Sequence, residues 1–363
     1  MSPLRIVFIV GIRSQFIKLA SIQRALKKFN NQSEIKIEPI YINTGQHYSD
    51  ELIQFIDELN VHFDFTFNYN NKDPLYILSH MQIKLGDCLK NLAKSKKIDW
   101  ITVFGDANTT LAGSVVASRL NIPLIHVEAG VRTGDKSSPE EINRIIADNI
   151  AELHFTSSIV DSENIKKENL GKSVYYSGDI VYDLVKELDS TISKGFEEYE
   201  NGFILCTIHR QENLVSIECV KMILEVLYNY SRQTIFITHP RTENLIKDIK
   251  SNYADKIHFK KGLPYLSLIK AIKSSAFVVT DSGALQREAF YLKKRCLIRQ
   301  DVPFWKNLVL NGIHSSFENS QSDFISKLKW IERELLLLYP KCSDFGNGNA
   351  SLKLLKYISE MEK

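Results

Sequence analysis

Trp100-Ile101-Thr102-Val103-Phe104-Gly105-Asp106-Ala107-Asn108 and, one amphipathic stretch later, Pro123-Leu124-Ile125-His126-Val127-Glu128-Ala129-Gly130 decide how this chain folds. Each is a short apolar run that stops at a turn residue and a carboxylate. Such a run, bounded by turn signals, reads as a strand buried on both faces. The stretch starting near Asn108 reads as the helix between them. Strand, helix and strand with no hairpin signal make a parallel pair joined by a crossover.

The same alternation continues outward in both directions. Toward the start, Ile6–Val10 is a strand, Gly11 a turn, and a helix follows with Phe16, Leu19, Ile22 and Leu26 at helical spacing. Ile37–Ile42 is a strand, Thr44-Gly45-Gln46-His47 its loop, and helices are expected around Asp50–Leu59 and Leu75–Ala93. Toward the end, strands are expected at Phe203–Ile208, Thr234–Thr238, Ile257–Phe259 and Phe277–Thr280. Helices are expected at Cys219–Tyr230, Asn244–Lys250, Leu266–Ser274, from Leu285, at Gln321–Leu338 and at Ala350–Met361. The fold class is therefore α/β, with two doubly wound parallel sheets. The pattern breaks between Asn169 and Asp179, where Gly171-Lys172-Ser173 and Ser177-Gly178-Asp179 lie. Ligands of open α/β sheets bind at the carboxyl ends of the strands, so a cleft between two such domains is expected to hold the site.

Composition narrows the class. The 363 residues suit two domains of ~150 residues with some extra. Hydrophobic residues at 44% and charged residues at 25% exclude disorder as the main state. Lys+Arg of 46 against Asp+Glu of 43 gives +3, too balanced for a nucleic-acid binder, although a local basic pocket is compatible. No apolar run approaches a membrane span of ~20 residues, and Ile6–Val10 is too short for a signal peptide. Five cysteines (Cys88, Cys206, Cys219, Cys296 and Cys342), odd in number and without CxxC spacing, point to a reducing, cytoplasmic setting.

Carboxylates gather at the strand ends: Asp106, Glu128, and then Glu140 and Glu141. Carboxylates crowded in a cleft shift one another's pKa, which suits acid and base work. The competing reading makes Asp106 a helix cap and Glu140 and Glu141 an ordinary first turn. Cations and hydroxyls occupy other strand ends: Arg13 and Lys18, His209 and Arg210, and Ser282-Gly283 at a helix start. A helix N-terminus favours an anion, so a phosphate or diphosphate fits this set. Solvated cations and a plain N-cap at Ser282 are the competing reading. No GxGxxG, no phosphate-loop GxxxxGK[ST] and no metal-ligand spacing occurs, and His47, His126, His209 and His239 can equally line the core.

Read together, the motifs resemble the non-hydrolysing UDP-N-acetylglucosamine 2-epimerases. Gly11-Ile12-Arg13-Ser14-Gln15-Phe16-Ile17-Lys18 is similar to that family's G-x-R-P-[EQ]-x-I-K, and Thr44-Gly45-Gln46-His47 to its [TA]-[GA]-Q-H. Gly105–Ala112, His126–Arg132 and Pro139–Arg144 resemble G-D-T-x-[ST]-x-L-A, H-[VI]-E-A-G-L-R and P-E-E-x-N-R. Thr207–Asn213, Asp281–Ala289 and Gly346–Ala350 resemble T-x-H-R-x-E-N, D-S-G-G-x-Q-x-E-A and G-[DN]-G-x-A. The blocks run in family order over nearly the whole chain.

The resemblance implies a GT-B-type fold, two Rossmann-like domains with the substrate between them. It divides the chain into residues 1–173, with a helix at 350–363 packing back on them, and residues 174–349, which hold the UDP. It implies an isomerase of polysaccharide biosynthesis that inverts C2 of a UDP-N-acetylhexosamine by eliminating UDP to a 2-acetamidoglucal and adding it back. By motif position, Asp106, Glu128 and Glu140 are the acid/base candidates, and His209 assists departure of the diphosphate. Arg13, Ser282, Gly283 and Ala284 are expected on the diphosphate, Glu288 on the ribose, Lys18 and Arg144 on the sugar, and Gln46 on the substrate. A homodimer with no cofactor, metal, nucleic acid or membrane is implied. A hydrolysing relative that releases UDP, a GT-B glycosyltransferase and a UDP-sugar binder without turnover remain alternatives. Four departures stand out: Ser14 for Pro, Ala107 for Thr, Ala284 for the second Gly, and the segment Arg299–Lys306, where Gln300 takes the place of an Arg and Pro303-Phe304 that of Thr-Glu.

Overall fold

Two units divide the chain: Met1–Leu184 with Ser343–Lys363, and Val185–Cys342. The computed structural model describes all residues except 1, 48–49, 72, 171–172, 194, 197–198, 200–201, 301–304, 341 and 362–363. Gly171 and Lys172 of the expected break, and Asp301 to Phe304 of the departing segment, lie outside the described residues.

The first unit is built on β1 (Leu4–Val10), β2 (Ile37–Asn43), β3 (Phe65–Thr66), β4 (Trp100–Phe104), β5 (Leu124–Val127), β6 (Leu153–Thr156) and β7 (Ser173–Tyr176). Their order is β3-β2-β1-β4-β5-β6-β7, and every neighbouring pair is parallel. The helices are α1 (Arg13–Gln32), α2 (Asp50–Leu59), α3 (Pro74–Ser95), α4 (Asn108–Arg119), α5 (Pro139–Ile150), α6 (Ile159–Lys167) and α7 (Ile180–Thr191). Burial on both faces explains why β1 and β4 read as unbroken apolar runs rather than alternating ones. On one face Met81, Leu85 and Leu89 of α3, spaced by one helical turn, cover Val7, Ile9, Ile101 and Val103.

The second unit contains β8 (Ile204–Thr207), β9 (Thr234–Thr238), β10 (Ile257–Lys261), β11 (Phe277–Thr280), β12 (Cys296–Arg299) and β13 (Ser315–Phe317), ordered β10-β9-β8-β11-β12-β13 and again parallel throughout. Its helices are α8 (Ile217–Tyr228), α9 (Pro240–Ile246), α10 (Tyr265–Ser274), α11 (Gly283–Tyr291), α12 (Lys306–Leu310) and α13 (Gln321–Leu335). Val220, Ile223, Leu224 and Leu227 of α8 meet Phe324, Leu328 and Ile331 of α13 over the sheet. The helix expected at Asn244–Lys250 begins earlier, because His239 caps it and Pro240 sits at its first position.

The last helix, α14 (Ala350–Met361), belongs to the first unit. Tyr357 lies 4.3 Å from the Tyr175 ring of β7, and the Asp183 carboxylate accepts from the Ala350 and Ser351 amides at 2.8 and 2.7 Å. The division of the chain falls inside α7 rather than after Ser173. The physical reason is that β7 hydrogen-bonds to β6 along its whole length, so it cannot leave the first sheet.

In each sheet the strand order reverses once, between β1 and β4 and between β8 and β11. The loops at the carboxyl ends of those strands diverge there and leave a crevice.

Near the second reversal, His314 fixes the frame. Its ring is buried, Nδ1 accepts from the Cys296 amide at 3.1 Å, and Nε2 donates to the Gln286 carbonyl at 3.0 Å. Burial pushes its pKa down to about 4. An unfolded chain takes up that proton near pH ~6.5. Between the two values the unfolded state binds more protons, so stability falls as pH drops, by about 3 kcal/mol in all. We expect His314→Gln to flatten the denaturation midpoint over that range; a variant as pH-sensitive as the parent rejects the assignment.

Candidate active site

The first crevice is assembled by short-range necessity. Gln15 of α1 is buried; its Oε1 accepts from the Gly11 amide at 2.8 Å, and its Nε2 donates to the Phe104 carbonyl at 2.8 Å. One amide thus fastens the end of β1 to the end of β4. Gly11 is required for space: a Cβ there would lie 2.1 Å from Thr44 Oγ1 and 2.3 Å from Thr109 Oγ1. Those hydroxyls bond each other at 2.8 Å. Gly11→Ala is therefore expected to cost about 1–3 kcal/mol of stability, read by urea denaturation. An unchanged midpoint would show that the pair moves aside freely.

Lys18, one turn into α1, is buried and places Nζ 2.7 Å from Glu128 Oε2 at the end of β5. Glu128 adopts a left-handed backbone, φ +68°, and its amide donates to the Phe155 carbonyl at 3.0 Å. A non-glycine residue in that region stores about 1–3 kcal/mol of strain, and such strain collects at functional sites. Gly105, also left-handed at φ +62°, passes over this pair: a Cβ would lie 3.2 Å from Lys18 Nζ.

Asp106, three-tenths exposed, is held by Arg144 of α5, whose Nη2 donates to its Oδ2. The other end of that guanidinium bonds Glu141 Oε2 at 2.9 Å. Burial opposes ionisation of Glu141, yet its bonds from the Thr133 amide and hydroxyl, the Gly134 amide and Arg144 outweigh it and hold the carboxyl below the usual range. Asn143 Nδ2 donates to the Asp106 carbonyl at 2.9 Å. Asp106 is thus not the cap of α4. That helix starts at the apolar N-cap Ala107, and Gln46 reaches across to accept from the Thr109 amide at 2.9 Å.

Of the paired glutamates, Glu140 is exposed and accepts from Ser138 Oγ at 2.6 Å, while Glu141 is buried. The structure brings Asp106 to Arg144, Glu128 to Lys18 and Glu140 to Ser138. The sequence sets Glu141 beside Glu140 and gives the acid/base role to Glu140. The signal that finds it is spacing, since Glu141, Arg144 and Asp148 fall at i, i+3 and i+7 on one face of α5, and all are buried. Arg13 stands exposed at the start of α1, its guanidinium 4.5 Å from the Phe55 ring.

The second crevice is organised by Asp281, which sequence reading passed over for its neighbour Ser282. Wholly buried at the end of β11, its carboxylate accepts from the His209 amide at 3.0 Å, the Arg210 amide at 2.9 Å and Asn213 Nδ2 at 2.9 Å. His209 Nδ1 also lies 3.3 Å from Asp281 Oδ1, so the imidazole is aimed from its backbone outward. Ser282 is the N-cap of α11, its Oγ accepting from the Leu285 amide at 3.4 Å. Gly283 is half-buried and Ala284 exposed in that first turn, where helix amides have no intrahelical acceptor. Trp305 Nε1 donates to the Gly283 carbonyl at 2.8 Å, and its ring lies 4.4 Å from the Arg287 guanidinium. Glu288 is buried in the second turn. Gln300 is buried too; with its amide oxygen facing Arg210, it accepts from Nε and Nη1 at 3.2 and 2.9 Å.

Among the described residues no group of three or more His, Cys, Asp or Glu could hold a metal ion. Two crevices at the strand ends, one with carboxylates held by buried cations and one with a capped helix start, form the geometry on which similarity can be judged. The family model described as UDP-N-acetylglucosamine 2-epimerase matches residues 27–359. A UDP-N-acetylglucosamine 2-epimerase homolog of Methanococcus maripaludis is 32% identical, covering 99% of this chain and 100% of its own. The UDP-2,3-diacetamido-2,3-dideoxy-D-glucuronate 2-epimerase of Pseudomonas aeruginosa is 29% identical over 99% and 100%. The crystal structure of Methanocaldococcus jannaschii UDP-GlcNAc 2-epimerase in complex with UDP-GlcNAc and UDP superposes with a TM-score of 0.82 at 28% identity, covering 98% of this chain and 100% of that one. Both Rossmann-like units, of the GT-B type, and the ordered motifs point the same way, and the resemblance read from the sequence is borne out. The chain belongs to the UDP-N-acetylglucosamine 2-epimerase family.

Proposed function

We propose that this protein inverts C2 of a UDP-N-acetylhexosamine by elimination and re-addition of UDP. The observation that carries the reading is the pair of strand-end carboxylates, Asp106 and Glu128, each held by a buried cation. The C2 proton of the sugar is not next to a carbonyl, so its removal must be coupled to loss of a leaving group. A carboxylate takes that proton as the C1–O bond to UDP breaks, giving a 2-acetamidoglucal. The second carboxyl group then delivers a proton to the opposite face of C2 as a β-phosphate oxygen of UDP re-forms the bond to C1. Such positioned acid–base catalysis is worth ~10²–10⁴-fold.

Asp106 and Glu128 are the proposed acid/base pair, with Glu140 a third carboxylate exposed at the start of α5. Lys18 and Arg144 orient the pair from beneath and line the sugar side. Arg13, the Ser282 hydroxyl and the Gly283 and Ala284 amides take the diphosphate, because unsatisfied amides and the helix dipole stabilise the charge that grows as UDP departs. His209 donates toward that leaving group, Glu288 addresses the ribose and Gln46 the substrate from the end of β2. We also assign the protein to the cytoplasm and to polysaccharide biosynthesis; the described cysteines are free thiols, and among the described residues no helix is long and apolar enough to cross a membrane. A homodimer is proposed from the exposed Leu75, Tyr76 and Ile83 on α3. Ultracentrifugation of Ile83→Glu should give a monomer.

The deciding experiment follows C2 by NMR in heavy water with UDP-GlcNAc and UDP-2,3-diacetamido uronic acid. Deuterium at C2 together with the inverted UDP-sugar is expected. UDP released without that product favours a hydrolysing enzyme, transfer to an acceptor without exchange favours a glycosyltransferase, and tight binding with no exchange favours a binder.

A further inference from the structure

One buried histidine is used by none of these roles. His126 of β5 has no exposed surface, and both ring nitrogens are engaged. Nε2 lies 2.8 Å from the Gly105 carbonyl, and Nδ1 lies 2.6 Å from Asp148 Oδ1. A carbonyl oxygen can only accept, so Nε2 carries a hydrogen. Asp148 is ionised: burial opposes its charge, but its Oδ2 already accepts from the Arg132 guanidinium at 2.7 Å and the Gly130 amide at 3.2 Å, and the carboxyl is held below the usual range. An ionised carboxylate also only accepts, so Nδ1 carries a hydrogen as well. A ring that donates from both nitrogens is an imidazolium.

The remaining atoms of the cluster reach the two catalytic loops. Asp148 Oδ2 accepts from the Gly130 amide at 3.2 Å and from Arg132 Nη1 at 2.7 Å, two and four residues beyond Glu128. The Gly105 carbonyl gripped by His126 belongs to the peptide that enters Asp106. Arg132 forks onto Glu168 at 2.8 and 2.7 Å; His154 of β6, in register with His126, donates Nε2 to the Asp148 carbonyl at 2.8 Å, and burial lowers its own pKa, which keeps it neutral. The Gly105 amide meanwhile donates to the Val127 carbonyl at 2.9 Å.

We propose that His126 and Asp148 are positioning residues, a buried imidazolium–carboxylate pair that fixes the loop carrying Asp106 against the loop carrying Glu128. Neither touches substrate. The pair acts through backbone atoms: a carbonyl before one carboxylate and an amide after the other. A bare apolar pair in the same place would hold the sheet but not the register of these two loops. The catalytic half of the inference rests on the epimerase reading; the protonation half does not.

Two measurements test it. In full-length protein with ¹⁵N-labelled histidine, assigned against His126→Gln, both His126 nitrogens should show the shifts of protonated nitrogen at neutral pH. A single pyridine-type nitrogen overturns the proposal. In Asp148→Asn, kcat for C2 exchange should fall about 100-fold, the scale of a ~1 Å misplacement, while KM and UDP affinity hold. An unchanged kcat, or an equal loss of UDP affinity, overturns the positioning role. If Asp148→Asn does not fold, Asp148→Glu, which keeps the charge, is read by the same split. If the parent protein shows no exchange, the epimerase reading fails by itself, and the nitrogen shifts still decide the imidazolium.

Discussion

Asp106→Asn should lower C2 exchange by about 10²–10⁴-fold and leave UDP affinity within a factor of about two. Asparagine keeps the shape and one oxygen for Arg144, whose Nη2 now bonds the aspartate. It removes the one property the reaction needs, a group that accepts and returns a proton. The fold should survive, because Asp106 is partly exposed and α4 is capped from elsewhere, by Gln46. Isothermal titration with UDP and deuterium uptake from heavy water separate the two effects. Equal losses in both would make Asp106 a binding residue, and unchanged uptake would remove it from the chemistry.

Asp281→Ala should destabilise the protein by about 3–5 kcal/mol, the range for removing one member of a buried charged set. The His209 and Arg210 amides and Asn213 Nδ2 all donate to this carboxylate; Asn213 Nδ2 also reaches the Arg299 carbonyl at 3.1 Å, so the loss falls mainly on the two amides. Leaving the two half-buried amides without this acceptor adds to the loss, with about 1–3 kcal/mol as the cost of a fully buried donor. The thermal midpoint should fall by about 10 °C, at ~2–4 °C per kcal/mol for a unit of this size. Because the lost bonds aim His209, UDP affinity should fall as well. A variant as stable as its parent would mean the loop after β8 is held by other contacts.

The strands are the most legible part of the chain, since burial on both faces leaves a short continuous apolar run bounded by turn residues. β4, β9 and β11 lie where those runs do. β3, two exposed residues long, and the short β13 have no such run and exist through pairing with a neighbour. The unit boundary escaped because Gly-rich turns occur inside a sheet as readily as between domains, and only the β6–β7 pairing distinguishes the two. Motif order points to segments at the strand ends but does not say which atom faces which. Glu140 and Glu141 are adjacent in sequence and point in directions ~100° apart on a helix, so one is solvated and the other buried. Asp281 and His126 are readable only as neighbours of better-known motif residues; their partners lie on other elements, Asp148 on α5 and His209, Arg210 and Asn213 after β8.

The return of residues 343–363 to the first unit sets an order of events on the ribosome. Residues 185–342 are contiguous and can collapse as soon as they emerge. The first unit has its whole sheet by Tyr176, yet the amide pair that Asp183 must receive and the ring that packs on Tyr175 arrive only with Ala350, Ser351 and Tyr357. Closing so long a loop is entropically slow, and a half-finished unit exposes apolar surface meanwhile. The unit that is made first is therefore completed last.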